Sequence, residues 1–183
     1  MVNKLSTSLL AACFAAAVLL ALAAPAVLAG DPTCSRTSAS PTTNPSRAKL
    51  PGLNTLGVSV SRIDYAPWGV NPPHVHPRAT EVIFVLQGSL DVGFVTTANR
   101  LYASTVCAGE VFVFPRGLVH YQRNNGGGPA AVLSAFDSQL PGTQPVAEAL
   151  FGASPPVPTD VLARSFQIDG GLVEAIKSKF PPK

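Results

Sequence analysis

The chain has 183 residues, of which 46% are hydrophobic and 13% charged, and its formal net charge is +3. This length and apolar content support one compact domain with a sizeable core and exclude a disordered chain. The small positive charge forms no clustered basic patch, which argues against a nucleic-acid-binding surface and leaves at most a weak attraction for a small anionic substrate.

Residues 1–29 have the pattern of a secretory signal peptide. A short polar start with Lys4 precedes an apolar run from Leu9 to Leu28, and small residues lie just before Gly30. A membrane anchor is the alternative, because the run approaches the length that spans a bilayer, but its alanine content and Pro25 favour cleavage. We therefore expect a secreted protein that begins near Gly30, with no later membrane-spanning stretch.

Residues 30–55 are predicted to form an N-terminal arm, because the segment from Asp31 to Lys49 is rich in Ser, Thr and Pro. The arm contains Cys34, and Cys107 is the other cysteine that remains after removal of the signal peptide. Secretion permits a disulfide between them. Two unrelated thiols fit equally well, because pairing depends on a Cα separation that the sequence does not give.

Residues 56–158 are predicted to form an all-β barrel. Seven short runs are rich in β-forming residues, are separated by Gly, Pro and Asn, and have no helix between them, which is typical of a sandwich or jelly roll. The predicted strands are Gly57–Tyr65, Val82–Leu86, Ser89–Val95, Arg100–Cys107, Val111–Phe114, Val119–Arg123 and Ala131–Phe136.

Residues 159–183 are predicted to form two short C-terminal helices. Thr159 or Asp160 can cap the first helix, and Asp169 can begin the second. The apolar face of the second helix is expected to consist of Leu172, Val173, Ile176 and Phe180. A closed barrel offers such helices nothing to bury against, which favours contact with a partner subunit. A helical hairpin folded back on its own barrel is the alternative.

The three histidines of the chain and one glutamate have the spacing of a metal site. His74 and His76 are two residues apart, and alternate side chains of an extended segment point to one face, so both can reach one ion. Glu81 opens a strongly β-forming run and adds a carboxylate oxygen, and His120 adds a third imidazole. Any one of the four alone is ordinarily a surface or core residue, but their joint spacing predicts a metal site.

The four residues lie in two boxes that resemble the paired boxes of the cupin superfamily. The first box ends at Gly88, and the second contains Gly109, Pro115, Gly117, His120 and Asn124. The segment from Asn71 to Glu81, NPPHVHPRATE, resembles the plant germins and germin-like proteins, and the likeness extends from about Leu56 to the C-terminus. It implies a single cupin jelly-roll barrel with short C-terminal α-helices, assembled as a homo-oligomeric hexamer, a trimer of dimers.

The resemblance also implies a cofactor and a reaction. Three imidazoles and a carboxylate do not by themselves select among zinc, copper, iron, nickel and manganese, but the germin resemblance implies one manganese ion (Mn²⁺) per subunit. It further implies superoxide dismutation or oxalate oxidation, both of which yield hydrogen peroxide, and a role in plant defence in the apoplast. A non-enzymatic binding or wall protein, stabilised by its metal, is the alternative.

Two positions bear on the choice of reaction. Asn71 matches one of two asparagines that line the site in oxalate-oxidising germins, and Ser61 stands where the other is expected. A serine hydroxyl is shorter than a carboxamide, so recognition of a dicarboxylate should suffer more than reaction with superoxide, and superoxide dismutase-like activity is favoured. Trp68 replaces the glycine that usually opens the first box, and it either narrows the entrance or packs on the rim.

Overall fold

The computed structural model of the chain describes residues 51–53 and 55–180. The predicted signal peptide, nearly all of the predicted arm and Cys34 lie outside these described residues. Cys107 is exposed and forms no disulfide with another described residue. A short 3-10 helix at Pro51–Leu53 precedes the strands. The strands are β1 Ser59–Tyr65, β2 Val70–Val75, β3 Glu81–Gln87, β4 Ser89–Val95, β5 Leu101–Cys107, β6 Val111–Phe114, β7 His120–Arg123, β8 Ala130–Phe136 and β9 Gln144–Pro145.

These strands form two antiparallel sheets, one in the order β1-β8-β3-β6 and one in the order β5-β4-β7-β2-β9. The sheets pack as a sandwich around one core, to which Ile83 and Val85 contribute from the first sheet and Leu90 and Val92 from the second. Inward and outward residues alternate along β3, as expected for a strand with one buried face. The all-β jelly-roll prediction is therefore confirmed.

All seven predicted runs correspond to strands, but β2 and β9 were missed. Pro72 and Pro73 lie within β2, and a residue without a backbone N–H is unfavourable inside a sheet. The strand tolerates them because β9, its neighbour on one side, has only two residues. The sequence predicted extended backbone around His74 and His76 without delimiting a strand there, and it gave no signal for β9.

The turn between β3 and β4 depends on Gly88. Its φ of 74° lies in the left-handed region, which side chains other than glycine rarely adopt. A Cβ at this position would lie 2.9 Å from the Cβ of Ala130, so the close approach to β8 also requires a glycine. The glycine that ends the first box therefore has a structural role.

Three helices follow the barrel: α1 Val146–Phe151, α2 Thr159–Phe166 and α3 Gly170–Lys177. The predicted cap of α2 is wrong, because Pro158 occupies the N-cap position without a side-chain hydrogen bond. The Thr159 hydroxyl instead donates to Glu174 and accepts from Lys177 on α3. The cap of α3 is confirmed, since the Asp169 carboxylate accepts a 2.7 Å hydrogen bond from the backbone N–H of Gly171.

The helical hairpin formed by α2 and α3 contacts α1, which was not predicted and which packs against β2 and β9. Phe151 of α1 lies against Phe166, with ring centroids 5.7 Å apart, and against Phe180 at 6.4 Å. Phe180 lies beyond the end of α3, so its assignment to the helical face was wrong. None of the helices in the described part of the chain has the length and apolar character needed to cross a bilayer.

Candidate metal centre

The structure brings together all four predicted ligands. His74 lies near the end of β2, His76 follows that strand, Glu81 begins β3 and His120 begins β7. Each of the four is at most 4% exposed, and one ligand atom from each lies within 4.8 Å of the others. Because β3 belongs to one sheet and β2 and β7 to the other, the cluster lies between the two sheets, inside the barrel.

An irregularity in β2 makes this convergence possible. Asn71 pairs with Gln122 on β7 and His74 pairs with His120, so three steps along β2 correspond to two steps along β7. Residues three apart on a regular strand face opposite sides, but the extra residue of a bulge reverses the alternation. Asn71 and His74 therefore both face the interior, and the two prolines between them are exposed.

Backbone carbonyls orient two of the imidazoles. His74 Nδ1 lies 2.7 Å from the carbonyl oxygen of Pro72, and His120 Nδ1 lies 2.8 Å from that of Leu118. A carbonyl can only accept, so we assign a proton to each Nδ1, which leaves Nε2 of both rings for a metal. The third ring, that of His76, has its Nδ1 3.4 Å from the hydroxyl of Thr143.

Glu81 lies at the centre of the cluster. Its Oε2 is 3.1 Å from Nε2 of His120 and 3.3 Å from Nε2 of His76. Burial alone would raise the pKa of the Glu81 carboxyl, but hydrogen bonds from these two rings lower it to about 2. Burial, together with the nearby His120, lowers the pKa of His74 to about 4.

This donor set fits a divalent cation. The low pKa values of Glu81 and His74 mean that a carboxylate and a neutral imidazole are available at neutral pH. The Nε2 atoms of His76 and His120 both lie against the Glu81 carboxylate, so a cation bound among these atoms would contact ring nitrogens and a carboxylate oxygen together. Three imidazole nitrogens and one carboxylate oxygen would then hold the ion.

Gln122, which sequence reasoning missed, connects the carboxylate to a second layer of buried polar groups. Its Oε1 accepts hydrogen bonds from Asn71 Nδ2 at 2.6 Å and from the Tyr65 hydroxyl at 3.3 Å. Its Nε2 consequently faces Glu81 and lies 3.5 Å from both carboxylate oxygens. The sequence did contain a signal for Gln122. It lies two positions after His120 in a predicted strand, so the two side chains face the same side of that strand.

Three further residues singled out in the sequence, Asn71, Asn124 and Trp68, differ in burial and in hydrogen bonding. Asn71 is buried and donates to Gln122. Gln122 therefore lies between the Asn71 amide and the Glu81 carboxylate. Asn124 follows the end of β7 opposite His120, and it stabilises the loops there by donating to the carbonyls of Ala66 and Gly128. Trp68 is 65% exposed with a φ of 63°, so it does not pack into the rim, contrary to the more common fate of a lone tryptophan.

Comparison with known proteins gives consistent matches. A family model described as Cupin matches residues 29–174. Germin-like protein 1-3 of Oryza sativa subsp. japonica is 74% identical over 135 residues, which cover 73% of this chain and 60% of the relative. Germin-like protein 1-1 of the same organism is 54% identical over 206 aligned positions, covering 91% of this chain and 95% of the relative.

A solved structure agrees with these matches. A recombinant oxalate oxidase in complex with glycolate shares 44% sequence identity at a TM-score of 0.73, covering 86% of this chain and 85% of that protein. This chain spans about 60% of the length of the first relative. The alignment with germin-like protein 1-1 has 206 positions, which is more than the 183 residues of this chain. That relative therefore has residues without a counterpart in this chain.

The two-sheet barrel and its buried cluster of three histidines and one glutamate define a cupin domain, and the family match covers most of the chain. The identity to germin-like protein 1-1 extends over nearly the full length of both proteins. The chain therefore belongs to the germin-like proteins of the cupin family.

Proposed function

We propose that this protein is a secreted, manganese-binding superoxide dismutase that produces hydrogen peroxide. The observation that carries the proposal is the convergence of His74, His76, Glu81 and His120 inside the barrel of a germin-like protein. When bound, the ion supplies redox chemistry: one superoxide is oxidised to dioxygen and another is reduced, with two protons, to hydrogen peroxide. Manganese rather than another divalent metal is inferred from the germin resemblance.

The protein supplies a rigid and largely dry environment for this chemistry. Phe114 stacks on His120 with ring centroids 4.6 Å apart, and Phe136 contacts His76 edge-on at 4.8 Å. Both phenylalanines are almost completely buried, so apolar rings hold two of the imidazoles and exclude water from one side of the cluster. A preorganised ligand set of this kind needs little rearrangement when the charge of an ion changes.

Oxalate oxidation is the second candidate. It is favoured by the 44% identity to an oxalate oxidase and by the presence of Asn71. Against it, Ser61 offers only a short hydroxyl where a carboxamide is expected, and a dicarboxylate has more oxygens to satisfy than superoxide has. A non-enzymatic apoplastic binding or wall protein is the third candidate.

Metal binding is tested by metal analysis of the purified protein and of His76→Ala. We expect about one manganese ion per subunit in the unmodified protein and loss of most of it in His76→Ala, because the site loses a ligand. Val70→Ala is the control, since Val70 lies on β2, the strand that precedes His76, but is 45% exposed. Full metal occupancy in His76→Ala would refute the ligand assignment.

The choice of reaction is tested by superoxide and oxalate assays on manganese-loaded protein and on Ser61→Asn. A buried hydrogen bond to a charged group contributes about 1.5–3 kcal/mol, so restoring the amide should raise oxalate turnover roughly ten- to a hundredfold. Superoxide dismutation should change by only a few-fold. Brisk oxalate oxidation by the unmodified protein would reverse the ranking, and absence of both activities would favour the binding-protein alternative.

The remaining parts of the proposal concern location and assembly. We propose that cleavage near Gly30 releases the protein to the extracellular space, where hydrogen peroxide production would serve plant defence.

We also propose that residues 30–55 form an arm, that residues 56–158 form the barrel, and that residues 159–183 form the assembly segment of a hexamer. About half of the surface of Val161, Phe166 and Leu172 on the terminal hairpin is exposed, which supports contact with another subunit.

A further inference from the structure

Residues 137–143, which we call the strap, connect β8 to β9 beside the metal centre. Phe136, immediately before the strap, contacts the His76 ring at 4.8 Å, and Thr143 at its far end has its hydroxyl 3.4 Å from Nδ1 of the same ring. His76 is only 4% exposed, although it lies beyond the end of β2. The two ends of the strap therefore flank one metal ligand.

His76 differs from the other two histidines in what orients its ring. His74 and His120 each have Nδ1 against a backbone carbonyl two residues earlier in the same segment. His76 has instead the side chain of Thr143, 67 positions further along the chain. The 3.4 Å separation is near the limit of a hydrogen bond, so a small displacement of the strap would break this contact. The orientation of His76 consequently depends on where the strap is held.

The end of the strap nearest Thr143 is held by Arg78. The Nε of this arginine donates to the carbonyl of Leu140 at 2.7 Å, and its backbone N–H donates to the carbonyl of Pro141 at 3.2 Å. A Cβ at Gly142 would overlap the Arg78 guanidinium, so the guanidinium lies directly on the glycine backbone. One arginine thus contacts the three consecutive residues that precede Thr143.

Other residues hold the beginning of the strap. The Asp137 carboxylate accepts a 2.7 Å hydrogen bond from the backbone N–H of Thr80 and forms an ion pair with Arg116 at 3.2 Å. Because these contacts lie at the β8 end, they would remain if the Arg78 side chain were removed. The end that carries Thr143 would then be loosened while the beginning of the strap stayed in place.

We propose that Arg78 is a positioning residue for the metal site. Its side chain fixes the end of the strap, the strap keeps Thr143 against His76, and the imidazole is thereby held in the orientation that binds the ion. Groups that orient a metal ligand from outside the ligand set typically change metal affinity ten- to a hundredfold. The inference rests on the metal site of the proposed function and is independent of the reaction that the metal performs.

The rate of manganese release tests this role. It is measured after manganese-loaded wild-type protein, Arg78→Ala and Arg100→Ala are mixed with an excess of chelator. Arg100 is a matched control, because it is an arginine in the turn between β4 and β5 and its guanidinium lies over the Tyr102 ring. We expect Arg78→Ala to release manganese about tenfold faster than wild type and Arg100→Ala to release it at the wild-type rate.

Gly142→Ala displaces the Arg78 guanidinium without removing its charge. Gly142 has a φ of 74°, so alanine is also strained there. Gly109→Ala controls for the strain, because Gly109 has a φ of 89° but a Cβ there would have no heavy atom within 4 Å. We expect Gly142→Ala to release manganese faster than Gly109→Ala, and we expect this difference whether or not Arg78→Ala folds.

The electron paramagnetic resonance spectrum of the bound manganese provides a second measurement. The spectrum reports the symmetry of the ligand set, which a general loss of stability would not alter. Arg78→Ala and Gly142→Ala should both change it, whereas Arg100→Ala and Gly109→Ala should not. A wild-type release rate together with a wild-type spectrum in Gly142→Ala would overturn the positioning role, and so would equal effects of Gly142→Ala and Gly109→Ala.

This inference and the proposed activity fail in different ways. Manganese release that depends on Arg78, in a protein without superoxide dismutation, would refute the proposed activity and support this inference. Superoxide dismutation with manganese release that is indifferent to Arg78 would do the reverse. A wild-type protein that takes up no metal would overturn both.

Discussion

Gln122 is the residue through which Tyr65 and Asn71 act on the metal centre. Two donors converge on its Oε1, which fixes the orientation of the amide and directs Nε2 towards Glu81. Burial, with a smaller contribution from Glu81, raises the pKa of Tyr65, so the phenol keeps the proton that it donates. The position of the Glu81 carboxylate therefore depends on three neutral side chains that do not themselves belong to the ligand set.

Replacing Gln122 with Leu should weaken metal binding about ten- to a hundredfold, which is typical for loss of a group that orients a ligand. The variant keeps a similar side-chain size but leaves Tyr65 and Asn71 without their acceptor, so the Tm should also fall. Metal affinity is measured by competition with a chelator. Gln87→Leu, at the exposed end of β3, is the control, and unchanged metal affinity in Gln122→Leu would refute the positioning role.

At the scale of secondary-structure elements, the terminal hairpin folds back on its own chain, which is one of the two alternatives that the sequence left open. Leu162 and Val173 are buried, and Phe166 contacts Phe151 of α1, so the hairpin does pack on its own chain. Val161 and Leu172 nevertheless remain about half exposed, at 48% and 50%. Packing within one subunit thus leaves apolar helical surface available to another subunit.

Removing residues 159–183 should lower the molar mass of the assembly measured by light scattering at micromolar concentration, because the exposed face of the hairpin is lost. Leu172→Ser tests the same surface without truncation, and it should weaken assembly while preserving the fold. Leu101→Ser is the control, since Leu101 is 53% exposed on β5 and lies outside the hairpin. A full-length protein that is monomeric at this concentration would contradict assembly through the hairpin.

At the scale of the whole molecule, strand register determines the site. Glu81 lies opposite Phe136, which is 55 positions further along the chain by residue number, and Asn71 lies opposite Gln122. These pairings bring Glu81, on one sheet, towards the histidines of the other sheet. Such relations depend on contacts between distant segments, so no local sequence pattern contains them.

The sequence by itself determined the strands with clear β-forming runs and the four candidate ligands. Those features are local: alternation of side chains, Gly and Pro at turns, and the spacing of His74, His76 and Glu81. Only the tertiary structure decided that the β2 bulge turns Asn71 and His74 to the same side and that Gln122 orients Glu81. Each of these depends on which strands lie side by side, and that pairing is fixed by packing across the whole barrel.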